Sequence, residues 1–546
     1  MKHAAFSLAS GLLLSLTLTA AATTLYVDVN NPAPAAPYTN WVTAATNIQD
    51  AVDTALDGDQ VLVTNGVYQT GARDVYGMSN RVTLTKAVTV QSVNGSGVTI
   101  IRGHGPIGAA AVRCVYLTNG AVLTGFTLTN GATQIFGDGY KQGSGGGVWC
   151  ESTSAVVSNC VLAGNSADWY GGGTFRGVLN NCTLLNNYAS GGGGEFQGIL
   201  NKCTLSGNRS TYGGGASLGT LNDCVLSGNS APGGYGGGAD SGTFNNCTFS
   251  NNWAANGGGV FRGTLNNCTV NGNWAADGGG TYLADLNGCL LNGNSATNGS
   301  GGGAYTGTLN NCTLTGNSAS AFGGGAYLGW LTSCIVYYNT ALNENDVGTL
   351  NYCCTTPLPG ISTGNFTNAP LFVDQAGGDF HLQTNSPCIN AGLNAYAPGA
   401  SDLEGHPRIS GGTVDVGAYE FQSPASVISY AWLQSYGLPM DGSADYADTD
   451  NDGMNNWQEW LAGTNPTNAA SVLRLQMPAF LPDGVMLTWS SVANRNYFVQ
   501  RATNLMPPPA FSLLQSNIPG LPDTTSFTDT NPPSSGPVLY RIGVQQ

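Results

Sequence analysis

Apolar residues in the middle of this chain fall in short strand-forming runs, each closed by Gly or Asn, and the whole pattern returns about every 22 residues between positions 145 and 335. Each repeat begins near a glycine triplet, as at Gly171-Gly172-Gly173. It then reads roughly Leu-Asn-Asn-Cys-Thr-Leu-x-Gly-Asn, as at Leu179 to Asn187 and Leu309 to Asn317. Cys160, Cys182, Cys203, Cys224, Cys247, Cys268, Cys289, Cys312 and Cys334 mark the period. A fixed repeat of this length specifies a solenoid. Short runs broken by Gly and Asn specify strands and tight turns, not helices. The fold class expected is therefore all-β, a right-handed parallel β-helix. That architecture limits function to what a long stiff rod can do.

The alternation of side chains along a strand orients the repeat. In Leu-Asn-Asn-Cys-Thr-Leu the apolar Leu and Cys face the core and Thr faces out. Three positions follow each triplet. The second is mostly aromatic: Trp149, Phe175, Phe196, Phe261, Tyr282, Tyr305 and Tyr327. If the first and third positions faced inward, Glu195, Arg176, Gln197 and Arg262 would all be buried. If the second did, Asp240 would be the one charged misfit. Unpaired buried charge is costly, so the aromatic column is expected inside the rod. The Asn pairs, such as Asn180-Asn181 and Asn266-Asn267, are read as hydrogen-bonded ladders at bends.

Outside the repeats the pattern changes. Residues 1–22 read as a secretory leader: Lys2 and His3, then the apolar run Leu12 to Leu18, then Ala20-Ala21-Ala22. Residues 23–110 form the N-terminal cap and first coils. There Ile48, Ala51, Val52, Ala55 and Leu56 keep helical spacing, as a cap over the first coil requires. Residues 111–350 carry the β-helix repeats and 351–425 the last coils. Residues 426–471 read as a linker, and 472–546 as a small β-sandwich of alternating strands. The remaining apolar runs are too short to cross a bilayer. A secreted or cell-surface location is expected, with no transmembrane segment.

Only 9% of residues are charged and the net charge is −15, which excludes nucleic acid as a partner. Between 141 and 350 the cations are Lys141, Arg176, Lys202, Arg209 and Arg262. Fourteen cysteines in an exported chain raise the question of disulfides. Equivalent cysteines on successive coils would stand about 4.8 Å apart with parallel Cβ vectors, which suits packing better than bridging. A buried thiol ladder is favoured over scattered bridges. Zinc is disfavoured because no C-x₂-C pair exists. The vicinal Cys353-Cys354 pair has no reading from sequence.

Three groups of residues carry candidate chemistry. The residues after each Gly-Asn place Tyr188 beside Arg209, and Trp253 beside Trp274, on one edge of the rod. Flat rings with little rotamer freedom suit sugar faces, and exposed large aromatics in a row need a partner. The expected partner is a polysaccharide or a cell-surface component. A weak catalytic cluster is offered by Arg176 and Glu195, on adjacent coils of one outward face, with Asp240 two coils from Glu195 on the opposite face. The third group is Asp448-Thr449-Asp450-Asn451-Asp452-Gly453-Met454-Asn455-Asn456-Trp457-Gln458-Glu459. Oxygen ligands at positions 1, 3 and 5, Gly at 6 and Glu at 12 match a calcium loop. Asp448, Asp450, Asp452 and Glu459 would give carboxylates, Met454 its carbonyl, and Asn456 a held water. Ca²⁺ is the expected cofactor, in a structural role.

Several segments resemble known families. The helix, Gly58-Asp59, strand and Gly66-Val67-Tyr68 order resembles the start of pectate-lyase-like β-helix proteins. The Gly-Gly-Gly-Ala-Tyr and Asn-Asn-Cys-Thr-Leu-x-Gly-Asn-Ser-Ala pieces resemble repeats of bacterial surface β-helix proteins, including the polymorphic outer-membrane protein type. Ser386 to Gly392, Asp402 to Arg408 and Val414 to Glu420 resemble the choice-of-anchor Q domain. That likeness implies a secreted protein held at a cell surface, although the chain shows no apolar anchor helix or basic tail. The Asp448 loop resembles those of thrombospondin type 3 and dockerin modules. Residues 472–546 weakly resemble fibronectin type III domains. A non-catalytic binding or adhesion rod is the favoured reading, ahead of a polysaccharide lyase or glycoside hydrolase and of a plain spacer. Whether the chain is an enzyme is left open.

Overall fold

The computed structural model describes residues 22–342, 346–358, 363–504, 510–533 and 536–545. The leader read at 1–22 lies, apart from Ala22, outside the described residues. The rest is all-β with three short α-helices.

The repeats build a parallel β-solenoid walled, among the described residues, by sheets of 20, 13 and 6 strands. The first sheet holds the stretch after each triplet and the Leu-Asn that follows, as in Ala216–Asn222. The second holds the Thr-Leu after each cysteine, as in Thr204–Ser206. The third holds the residues after Gly-Asn, as in Trp253–Asn256. Equivalent residues pair in register from coil to coil, for instance Leu200 with Leu221 and Leu205 with Leu226. A single core runs down the rod, containing Leu179, Cys182 and Leu184 and their counterparts in every coil. The helix Ile48–Thr54 closes the first end. Asn47 caps it by accepting from the amides of Gln49 and Asp50, and Ile48, Ala51 and Val52 join the core.

Two ladders supply the polar satisfaction that a narrow core needs. Asn187 donates from Nδ2 to the Leu162 carbonyl (2.9 Å) and to Oδ1 of Asn208 (3.0 Å), which also takes the Asn187 amide (2.9 Å). The same bonds link Asn208 to Asn229, Asn229 to Asn252, and so on to Asn339. These asparagines occupy the Gly-Asn position of the repeat, and all but the half-buried Asn339 are buried. The Asn-Asn pairs behave differently. Their first members form a half-buried ladder, as from Asn201 to Asn180. Their second members hold the left-handed turn, with φ of 52° at Asn181 and 49° at Asn267, a region asparagine tolerates. The cysteines are free and buried. Most of the cysteines from Cys203 to Cys353 accept the amide of the cysteine one coil earlier, as Cys203 Sγ accepts from Cys182 N–H (3.4 Å). Strand alternation then turns Cys354 outward, into a second core with Cys388.

The aromatic column corrects the sequence reading. The first position after the triplet is the inward one: Val148, Glu195, Ala216, Val260 and Ala304 are buried, and all but Glu195 join the central core. Trp149, Phe175 and Phe196 form a separate cluster with Tyr116 on the outside of the wall. Each later ring lies on the next, as Tyr282 on Tyr305 (centroids 4.5 Å apart). The premise that positions one and three share a face fails because position three is left-handed. Arg176, Gln197, Leu218, Ser241, Arg262, Leu283, Thr306 and Leu328 have φ between 53° and 61°. One left-handed residue breaks the two-residue alternation, so Arg176 and Gln197 stay outside although Glu195 goes in.

After the last coil the chain turns back along the rod. Phe372, Phe380, Leu382, Ile389 and Val416 pack on Leu290, Ile335 and Cys354, in the column that earlier coils fill with Thr204, Thr248 and Thr269. Asn311 Nδ2 donates to the Asp415 carbonyl (2.9 Å), and Thr313 Oγ1 accepts the Ala418 amide (3.0 Å). Beyond the helices Tyr430–Ser435 and Asn456–Ala462, two three-stranded antiparallel sheets share a core of Val485, Leu487, Trp489, Tyr497 and Val499. No helix among the described residues is long and apolar enough to cross a membrane.

Candidate functional site

The turn-edge column forms as the spacing predicts. Ser166, Tyr188, Arg209 and Ser230 are linked by successive parallel bridges. Ser230 pairs with Trp253, Trp253 with Trp274, Trp274 with Ser295 and Ser295 with Ser318. The alanines that follow, Ala231, Ala254, Ala275 and Ala296, face the interior and are buried, so alternation sends the column outward. Tyr188 is 49% and Trp274 43% exposed. The Trp253 and Trp274 rings lie 4.9 Å apart and within 2° of parallel. They cover each other rather than their own turns. Their separation equals the coil rise of about 4.8 Å, so their faces look along the rod and their edges look out.

Arg176, Glu195 and Asp240 do not converge, and Glu195 leaves the outward face it was expected to share with Arg176. Glu195 is in the core. Its Oε1 accepts the Gly198 amide, and its Oε2 has no hydrogen-bond partner. Burial pushes its pKa up to about 8. Arg176 lies over the Phe175 ring (4.8 Å) and donates to Gln197 Oε1 (3.3 Å). Asp240 faces out, between Ser217 and Phe261 of the flanking coils, and is half-buried. Burial raises its pKa against a hydrogen bond from Ser241 and the charge of Arg262. Glu195 and Asp240 do lie on opposite faces, but each on the one opposite to that expected. The three side chains share no reacting point.

The Asp448 to Glu459 loop closes on itself as a cation site would. Asp448, Asp450 and Asp452 bring carboxylate oxygens within 4.8 Å of one another. Asp448 accepts the amides of Asp452 (3.2 Å) and Gly453 (3.0 Å), and Asp452 accepts that of Met454 (2.8 Å). Gly453, with φ of 98°, makes the sharp turn that loop position six requires. Glu459 lies in the first turn of the helix Asn456–Ala462, fully buried. One oxygen each of Asp450, Asp452 and Glu459 is buried with no partner. Burial first, then the charges of Asp450 and Asp452, push the Glu459 pKa up to about 7. The gathered carboxylates of Asp448, Asp450 and Asp452, with orphaned oxygens on Asp450, Asp452 and Glu459, are of the donor type that suits a hard divalent cation such as Ca²⁺. Asn456 departs from its expected role. Its amide is buried, donating to the Ala444 carbonyl (2.8 Å) and accepting from Thr449 Oγ1 (2.9 Å), so it braces the loop instead of holding a water.

Two further clusters were missed from sequence. His381 is held through Nδ1 by Asp379 (2.6 Å) and through Nε2 by Glu404 (3.2 Å), against Tyr419. With His406 it lines a cleft of about 230 Å³. Burial disfavours the imidazolium, but the two carboxylates outweigh it and raise the pKa. Beneath, Arg408 is buried, donating to the carbonyls of Gly417 (2.6 Å) and Ala418 (2.8 Å). This network organises the Asp402–Arg408 and Val414–Glu420 motifs. The second cluster joins Tyr76, Tyr116 and Thr118 through the carboxylate of Glu151. Both bring together residues remote in sequence, which no local motif announces.

No protein-family model matches the chain, and no curated protein sequence matches it. Among solved structures it is similar to the pectate lyase Pel9A, at 15% identity and a TM-score of 0.36 over 73% of this chain and 97% of that one. It is similar to the A-module of the Azotobacter vinelandii mannuronan C-5 epimerase AlgE6, at 13% identity and a TM-score of 0.30 over 55% and 94% of the two chains. A rhamnogalacturonan lyase gives 13% and 0.26 over 64% and 91%. At such identities the likeness concerns the fold alone.

Proposed function

We propose that this chain is an exported, cell-surface rod that contacts polysaccharide through the edge carrying Tyr188, Arg209, Trp253 and Trp274, without transforming it. The observation that carries this reading is the outward Trp253–Trp274 stack on an edge whose flanking positions, Ser230 and Ser295, are small and polar. Two tryptophans held in one orientation lose little entropy on binding, and an apolar surface at the solvent edge favours a ligand with apolar C–H faces. The dispersal of Arg176, Glu195 and Asp240 removes that trio as a reacting site, since acid–base catalysis needs groups within reach of one reacting atom. A Ca²⁺ ion held by Asp448, Asp450, Asp452, Glu459 and the Met454 carbonyl would fix the junction between the rod and the C-terminal sheets. The likeness of 386–420 to the choice-of-anchor Q domain supports a surface location.

The test is a panel of acidic and neutral polysaccharides, scored for binding and, by ultraviolet absorbance and reducing ends, for cleavage. Trp253→Ala/Trp274→Ala should lose binding with the melting temperature nearly unchanged. Binding that survives the double change would remove the edge from consideration. Turnover abolished by Arg176→Ala would replace this reading with the lyase alternative.

A further inference from the structure

The tryptophan pair restricts how a sugar chain could lie on the rod. A row of rings laid flat would let a polysaccharide follow the axis, one ring per sugar. The observed rings are instead parallel and stacked at the coil spacing, so the two facing surfaces are hidden in the pair. The outer faces remain, and they differ. Trp253 is half-buried and looks toward Ser230 and Arg209, whereas Trp274 is the more exposed ring and looks toward Ser295. Beyond Ser295 come Ser318 and Thr340 in the same column. Three coils of small hydroxylated residues leave a gap of about 14 Å along the rod beside the open face of Trp274. Ser318 Oγ donates to Ser295 Oγ (3.1 Å), so the floor of the gap is a hydroxyl pair.

Resting on the polysaccharide reading above, we infer that one pyranose ring of a neutral polysaccharide stacks on the outer face of Trp274 above Ser295 and Ser318, and that its chain crosses the rod instead of following it. A ring stacked on Trp274 has its plane across the axis, so its two glycosidic bonds leave on either side of the rod. The serine hydroxyls meet the rim hydroxyls of that sugar. The column from Trp253 to Thr340 carries no charged side chain, and the net charge of −15 opposes a polyanion. The ligand class is therefore uncharged.

Ser295→Trp tests this directly, because it extends the ladder by one ring and fills the gap. The column already accepts Trp at 253 and 274 and Arg at 209, so Ser295→Trp and Ser295→Arg are both compatible with the coil. Binding would be measured by affinity electrophoresis and calorimetry with a β-1,3/1,4-glucan, a galactomannan, polygalacturonate and alginate. A neutral polymer should bind the unaltered chain, and both Ser295 variants should weaken it at least tenfold. Ser230→Trp, which lengthens the stack on the other side, should leave binding within twofold. If the Trp253/Trp274 double variant loses binding but Ser295→Trp and Ser295→Arg keep it, the edge binds sugar and the crossing geometry is wrong. If the double variant keeps binding, or no polymer binds, the polysaccharide reading itself falls. Binding of only the acidic polymers would overturn the uncharged ligand.

Discussion

Glu195 and Gly219 face each other inside the rod. Glu195 Oε2 sits where a side chain on Gly219 would begin, since a Cβ there would stand 2.6 Å from it. Gly198 makes the same allowance for Oε1, at 2.9 Å. The carboxyl thus occupies a space left by glycines on its own coil and the next, with one amide for company.

That arrangement predicts a pH-dependent weakness. The Glu195 pKa rises from 4.5 in the unfolded chain to about 8 in the fold. Between those values the folded state holds a proton that the unfolded state has lost. Stability should therefore fall as pH rises from 4.5 to about 8 and then level off, with a slope of at most about 1.4 kcal/mol per pH unit from this group. Glu195→Gln should remove that part of the slope and raise the melting temperature at pH 8. Parallel profiles for the two proteins across this range would show that Glu195 is not the protonated group.

The buried asparagine ladder predicts a localised loss. Asn229 Oδ1 takes the amide and Nδ2 of Asn208, and its own Nδ2 serves the Leu205 carbonyl and Asn252. Asn229→Ala orphans several of these groups at once, at about 1–3 kcal/mol each. Denaturation should show a loss of at least about 3 kcal/mol, and protease cuts should appear near residues 205–252. Exposed Asn298→Ala, outside the ladder and not in a left-handed turn, should cost under about 1 kcal/mol.

The thiol ladder should be chemically silent. Cys203, Cys224 and Cys247 have pKa values near 12, set by neighbouring thiols and by burial. Labelling by a thiol reagent in the native state should proceed at the unfolding rate and gain nothing between pH 7 and 9 beyond what unfolding gains. Fast labelling of these three positions would contradict the inward ladder.

Calcium should order the junction. With Ca²⁺ present, cleavage between Asp448 and Glu459 should slow markedly in the full chain, and Asp450→Ala or Glu459→Gln should abolish the protection while leaving the rod's unfolding unchanged. Calorimetry that detects no Ca²⁺ uptake by the full chain would refute the assignment.

The solenoid and its register were legible because a repeat brings each residue beside its counterpart one period away. Strict recurrence of Leu, Cys and Gly-Asn encodes stacking at fixed separation, and from it follow the core positions of Leu179 and Cys182 and the pairing of Trp253 with Trp274. The closing of the acidic loop was legible for a related reason, since Asp448, Asp450 and Asp452 lie within five consecutive residues and bring their carboxylates together. What the repeat could not express was backbone hand. From Arg176 onward one left-handed residue at the third position reverses the direction of side chains, and the composition of that column, Arg, Gln, Leu, Ser and Thr, carries no signal for it. Tertiary structure alone therefore put Glu195 in the core and the rings outside it. It alone set the segment from 363 to 430 against Leu290, Ile335 and Cys354, and committed Asn456 to bracing its loop. Those outcomes depend on contacts between non-repeating segments, whose match of shape and hydrogen bonding exists only once the rod has formed.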